Sequence, residues 1–211
     1  MTIFNILLAI HVVSGTIGLL LGTYQLFAKK GSKTHKKIGK IFFYAMVTNA
    51  LTAMPMSFLH TNYFLFIVGV FGFYMALTGK LYLGKKTLND VEKTDWLLSI
   101  VMFVFAVVFL LYGIYNLIHN NNFGLVFLAF GSIGILFVYQ DYKNFTGKTL
   151  VKNYWLTTHI QRMVGSYIVA ITAFLVINNT ILPGVIAWLL PSFLLTPLIV
   201  FWSRKYKIMN K

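Results

Sequence analysis

Of 211 residues, 58% are apolar and only 10% are charged, yet the formal net charge is +14. A soluble domain carries about a quarter charged residues, so this composition excludes one. The absence of cysteine excludes disulfides, iron–sulfur clusters and thiolate metal sites.

A bilayer core needs about 20 consecutive apolar residues per helix. Seven runs qualify, at approximately 4–27, 41–59, 62–84, 97–118, 123–140, 155–178 and 182–203. The reading is an all-α, polytopic bundle forming a single transmembrane domain over 1–211. The start, Met-Thr-Ile-Phe-Asn, has no basic n-region, so a cleaved signal peptide is not expected.

The first helix carries Gly15, Gly18 and Gly22 at helical spacing, and His11 extends that stripe. Small residues let membrane helices approach closely, so His11 is expected to face the bundle. Pro55 is expected to kink the second helix. The third repeats the small-residue device with Gly69, Gly72, Ala76 and Gly79. The sixth does so with Ser166, Ala170 and Ala173, on a face that His159 shares. Pro191 and Pro197 interrupt the seventh, where neighbouring helices can satisfy the freed carbonyls.

The gaps between runs alternate between basic and uncharged. Lys29 to Lys40 holds six lysines, Lys80 to Lys93 four, Lys143 to Lys152 three, and Arg204 to Lys211 four basic residues. Arg162 completes the eighteen, and the gaps around His60, His119 and Asn179 hold none. Positive charge stays cytoplasmic in short loops, so the N-terminus is expected outside and the C-terminus in the cytoplasm. Charge dispersed over four membrane edges argues against nucleic acid. It fits a lipid bilayer with anionic headgroups on the cytoplasmic side. The preference for Lys over Arg, with much Asn and Ile, points to an AT-rich bacterial genome.

A short internal match joins helices one and five. Gly15-Thr16-Ile17-Gly18-Leu19-Leu20, then Tyr24-Gln25, parallels Gly131-Ser132-Ile133-Gly134-Ile135-Leu136, then Tyr139-Gln140. Each is followed by a Thr-His pair, Thr34-His35 and Thr158-His159. The match raises a parallel three-helix repeat, helices 1–3 and 5–7, as in some transporters.

The four acidic residues, Asp90, Glu92, Asp95 and Asp141, are placed in or beside the basic loops, leaving no carboxylate mid-membrane. Chemistry then falls to histidine and Arg162. An ionisable group inside a membrane is a functional hypothesis by default. For His11 a neutral imidazole bonded to a neighbouring helix is the competing structural role. Two outcomes are open to Arg162. It pairs with Asp141, or it points with His159 into a cavity that awaits an anionic ligand; the cavity is the expectation. His35 would be the counterpart of His159 in the repeat, while His60, beside Thr61, and His119 read as wet interfacial groups.

Three segments carry a resemblance: His11-x-x-x-Gly15, the stretch Gly31-Ser32-Lys33-Thr34-His35-Lys36-Lys37-Ile38-Gly39-Lys40, and His159-Ile160-Gln161-Arg162-Met163-Val164-Gly165-Ser166-Tyr167. They resemble a family of bacterial multi-pass membrane proteins known only as a domain of unknown function. The resemblance implies a protein of the bacterial cytoplasmic (inner) membrane, draws attention to His11, His35, Gly39, His159 and Arg162, and implies no activity.

Three functional readings follow. The first, and the favoured one, is a small redox or metal-binding membrane protein. In it His35, His159 and Arg162 serve a cofactor such as b-type haem or quinone at the inner edge, and His11 serves an outer site. The second is a transporter or channel for a small solute. The third is a non-catalytic scaffold or assembly partner.

Overall fold

The computed structural model describes residues 2–60 and 62–209, without the side chains at 63 and 64; Thr61 and Lys211 lie outside that set. The described residues form seven long helices: α1 (Ile3–Phe27), α2 (Lys33–Leu59), α3 (Tyr63–Leu81), α4 (Lys93–Ile118), α5 (Gly124–Phe145), α6 (Tyr154–Ile177) and α7 (Gly184–Tyr206). All seven are long and apolar enough to cross a membrane, as expected of a multi-pass membrane protein. Large apolar side chains point outward, among them Phe193 at 78% exposure and Leu111 at 63%. A surface of this kind is stable against lipid and would aggregate in water.

Several helices run past their apolar stretch at one end. Helix α2 starts at Lys33 rather than 41, because the Ser32 hydroxyl accepts from the His35 amide at 3.1 Å and caps it. Helix α4 starts at Lys93 behind a capping box of Glu92 and Asp95. Helix α5 continues to Phe145, which draws Asp141 into the helix. Helices α2 and α7 run through Pro55, and through Pro191 and Pro197.

The four basic segments meet at one end of the bundle. Lys30, in the α1–α2 loop, lies 4.2 Å over the Trp202 ring of α7. The Tyr154 hydroxyl of α6 donates to the Thr87 carbonyl between α3 and α4 at 3.4 Å. The α5–α6 loop clasps the C-terminal segment. The Lys152 amide donates to the Ile208 carbonyl at 2.8 Å, and Asn153 Nδ2 donates to the Tyr206 carbonyl at 2.7 Å. At the opposite, uncharged end the Phe4 ring of α1 meets His60 at 4.0 Å between centroids.

Glycines set which helices touch. A Cβ at Gly15 would come within 2.9 Å of Asn49 Nδ2, and one at Gly18 within 2.9 Å of Met46 Sδ, so α1 lies along α2. Gly131 and Gly134, their counterparts in the internal match, face α4 instead. A Cβ at Gly131 would meet the Ala106 carbonyl at 2.9 Å, and one at Gly134 the Met102 Cε at 2.7 Å. Helix α5 therefore lies along α4, while α3 and α6 approach through Gly72 and Gly79. The backbones of α5 and α6 stand farther apart, and polar side chains bridge the gap. The apolar core centres on Phe71, with Ile67, Met102, Phe109, Phe130 and Trp188 around it.

Candidate functional site

Asp141, on α5, and Arg162, on α6, form an ion pair of 2.9 Å in which neither side chain is exposed at all. Asp141 accepts four hydrogen bonds. Oδ1 takes Arg162 Nη2 at 2.9 Å and the Tyr82 hydroxyl at 2.7 Å. Oδ2 takes Ser99 Oγ at 2.9 Å and the Tyr74 hydroxyl. A carboxylate offers about four lone-pair sites, so this one is saturated. Its donors come from the chain between 74 and 99 and from α6, across helices far apart in sequence. The shell continues outward, as Asn144 Nδ2 donates to the Tyr82 oxygen at 3.2 Å and to Thr158 Oγ1 at 3.1 Å.

Arg162 is not saturated. Nη2 also donates to the Phe137 carbonyl at 3.0 Å, but Nε and Nη1 are buried without a hydrogen-bond partner. The guanidinium lies 4.0 Å from the Phe137 ring centroid and 4.9 Å from that of Tyr74. Aromatic faces stabilise the charge but supply no acceptor for the remaining N–H groups. Ser166, one turn further along α6, is likewise buried with an unpartnered hydroxyl.

Two expectations need correction here. Arg162 does not point with His159 into a shared cavity, because Asp141 takes its guanidinium. Asp141 is not a loop charge, because α5 runs on beyond it and its carboxylate is buried inside the bundle. His159 turns the other way, toward α3. Its Nδ1 lies 2.7 Å from the Gly79 carbonyl. A carbonyl only accepts, so Nδ1 carries the proton and Nε2 presents a lone pair. At the same end, Gln25 Nε2 donates to the His35 carbonyl at 2.7 Å, while Gln25 Oε1 and His35 Nδ1 are buried without partners.

His11 faces the bundle, as its glycine stripe predicts. Its Nδ1 is 3.1 Å from the Asn49 carbonyl and 3.1 Å from Thr52 Oγ1, and Asn49 Nδ2 lies 3.4 Å from Nε2. Asn49 Nδ2 also donates to the His11 carbonyl at 2.9 Å. Both ring nitrogens thus have partners on α2, and Gly15 leaves room for the asparagine. His119 Nδ1 bonds the Tyr115 carbonyl at 2.8 Å on an exposed helix end. Among the described residues no three His, Asp or Glu side chains converge as a metal site.

Behind Asn144 and Thr158 a cavity of about 450 Å3 opens between α5, α6 and α7. Lys143, Arg204 and Lys207 line it, with Thr149, Gln161 and Ser203. Two other acids are spent locally. Asp95 pairs with Lys85 at 2.6 Å, and Asp90 caps its own turn, where hydrogen bonds from Thr87 hold its carboxyl below the usual carboxylate range.

No family model matches this chain, nor does any curated protein or solved structure.

Proposed function

We propose that this protein is a carrier or channel for a small anionic solute, set in a bacterial cytoplasmic membrane with its basic end inside the cell. The orientation rests on the segregation of Lys and Arg to one end. The solute reading rests on one observation: Arg162, wholly buried, keeps N–H groups without acceptors next to a saturated Asp141. A charge inside a membrane bundle marks a pathway more often than a structural strut. An incoming carboxylate or similar oxyanion would satisfy Arg162 and weaken its hold on Asp141. Repacking of that pair is the switch such a pathway needs, since α5 and α6 are joined here by side chains rather than by close backbone contact.

The test is uptake of radiolabelled acetate, lactate and succinate into liposomes holding the purified protein. At least one should enter faster than into protein-free liposomes. The double variant Asp141→Asn/Arg162→Met, which leaves no lone buried charge, should remove the excess flux. Uptake no faster than in protein-free liposomes for all three overturns the reading.

A second reading is supported by the inner histidines. His159 Nε2 offers a lone pair, and its Nδ1–H is fixed by a carbonyl, the arrangement that orients a ligating imidazole. With His35 Nδ1 and Gln25 Oε1 unpartnered nearby, this edge suits a haem or quinone. A Soret band in the purified protein, lost in His159→Ala, would favour it over the carrier.

A further inference from the structure

The cavity between α5, α6 and α7 has a composition of its own. Among the described residues three cationic side chains, Lys143, Arg204 and Lys207, line it and no carboxylate does. Among the described residues the ion pairs are Lys85–Asp95 and Arg162–Asp141, so none of the three is neutralised. The polar lining adds donors. Gln161 Oε1 accepts from Gln140 Nε2 at 2.6 Å, which leaves the Gln161 amide nitrogen for another acceptor. Ser203 Oγ is buried without a partner. The mouth is held in shape by the clasp of Asn153 on the C-terminal segment, where the Ile208 amide donates to Asn153 Oδ1 at 2.9 Å. That clasp keeps Arg204 and Lys207 beside the α5–α6 loop.

A second feature joins this cavity. An open groove runs along the outer face of α7, lined by Phe193, Thr196, Pro197, Val200 and Phe201. Val200 and Arg204 line both groove and cavity. A track of apolar side chains thus leads along a lipid-facing helix to a donor-rich, positively charged chamber. The chamber is within the size range of about 300–1,000 Å3 that small ligands occupy. Guanidinium and ammonium groups together recognise phosphate oxygens.

We infer that this cavity is a binding site for one anionic phospholipid, its phosphate held by Lys143, Arg204 and Lys207 and an acyl chain laid in the α7 groove. The site is separate from the Asp141–Arg162 pair and stands whether or not that pair serves transport. It is more than general attraction of basic loops to a charged leaflet, because headgroup and chain have distinct, adjoining places.

The full-length protein in neutral detergent is titrated with dihexanoyl phosphatidylglycerol, dihexanoyl phosphatidylcholine and inorganic phosphate. Binding is followed by calorimetry. Phosphatidylglycerol should bind about tenfold more tightly than either of the others. Arg204→Gln/Lys207→Gln should weaken it by about tenfold or more. Lys33→Gln/Lys37→Gln removes the same charge from exposed positions at the same end, outside the cavity, and should leave it within about twofold. Val200→Trp, at the exposed junction of groove and cavity, should weaken phosphatidylglycerol but not inorganic phosphate. Equal binding of phosphate and phosphatidylglycerol, indifferent to Val200→Trp, would make the ligand a free phosphate-bearing anion and overturn the lipid. Absence of binding, or equal losses in the two double variants, overturns the site.

Discussion

His11 and Arg162 are both ionisable, both inside the helix bundle, and both on helices with small-residue faces, yet their surroundings differ in kind. Around His11 donors and acceptors match. The imidazole uses Asn49 and Thr52, and Asn49 returns a bond to the His11 carbonyl. Around Arg162 donors outnumber acceptors, because Tyr74, Tyr82 and Ser99 have already filled Asp141. A matched polar cluster cross-links two helices and has no need of a further partner. An unmatched one in a low-dielectric interior is costly by itself, and is retained where something else completes it. The difference separates a structural cross-link from a candidate site, although sequence gives both residues the same claim.

The sharpest way to break this comparison is to remove one charge of the pair. Arg162→Met or Asp141→Asn should each destabilise the protein by about 3–5 kcal/mol, since each leaves its partner without a counterpart. The double variant should lose much less than the sum, measured by denaturant unfolding in detergent. Strictly additive losses would mean that the pair is not coupled. Next in size, Tyr82→Phe removes a hydrogen bond to a charged acceptor and should cost about 1.5–3 kcal/mol. It also removes one of the two acceptors of Asn144, which keeps Thr158 Oγ1. His11→Ala should cost about 1–2 kcal/mol, the scale of an interhelical hydrogen-bond cluster in a membrane. Its flux should stay at the level of the unaltered protein. A loss of flux in a folded His11→Ala protein would move the working site to the uncharged end.

Asp90 provides the smallest effect and the exposed reference. Its folded-state pKa lies below the unfolded value, so its contribution is present above the ordinary carboxylate pKa and fades as pH falls through the lowered one. Asp90→Asn should therefore lower the thermal midpoint slightly at neutral pH, and the gap should close as pH falls below the ordinary carboxylate range. A gap that widens on acidification would contradict the capping role.

Sequence alone determined the seven spans, the gathering of basic residues at one end, and the inward face of His11. Each follows from local rules: length against bilayer thickness, charge against the membrane potential and headgroups, and small residues at helical spacing. The reach of α5 past residue 140 was also readable, since no Gly or Pro interrupts the chain before Gly147. Ending the apolar run at its first charge puts Asp141 in the loop, whereas α5 carries it inside the bundle. Only the tertiary structure decided that Asp141 and Arg162 meet, that His159 turns to α3, and that the matched glycines of helices one and five face different neighbours. The reason is physical. A helical period places a residue on a face, but the partner of that face depends on which helices can approach. That is set by the joint packing of small and large side chains from segments far apart in the chain.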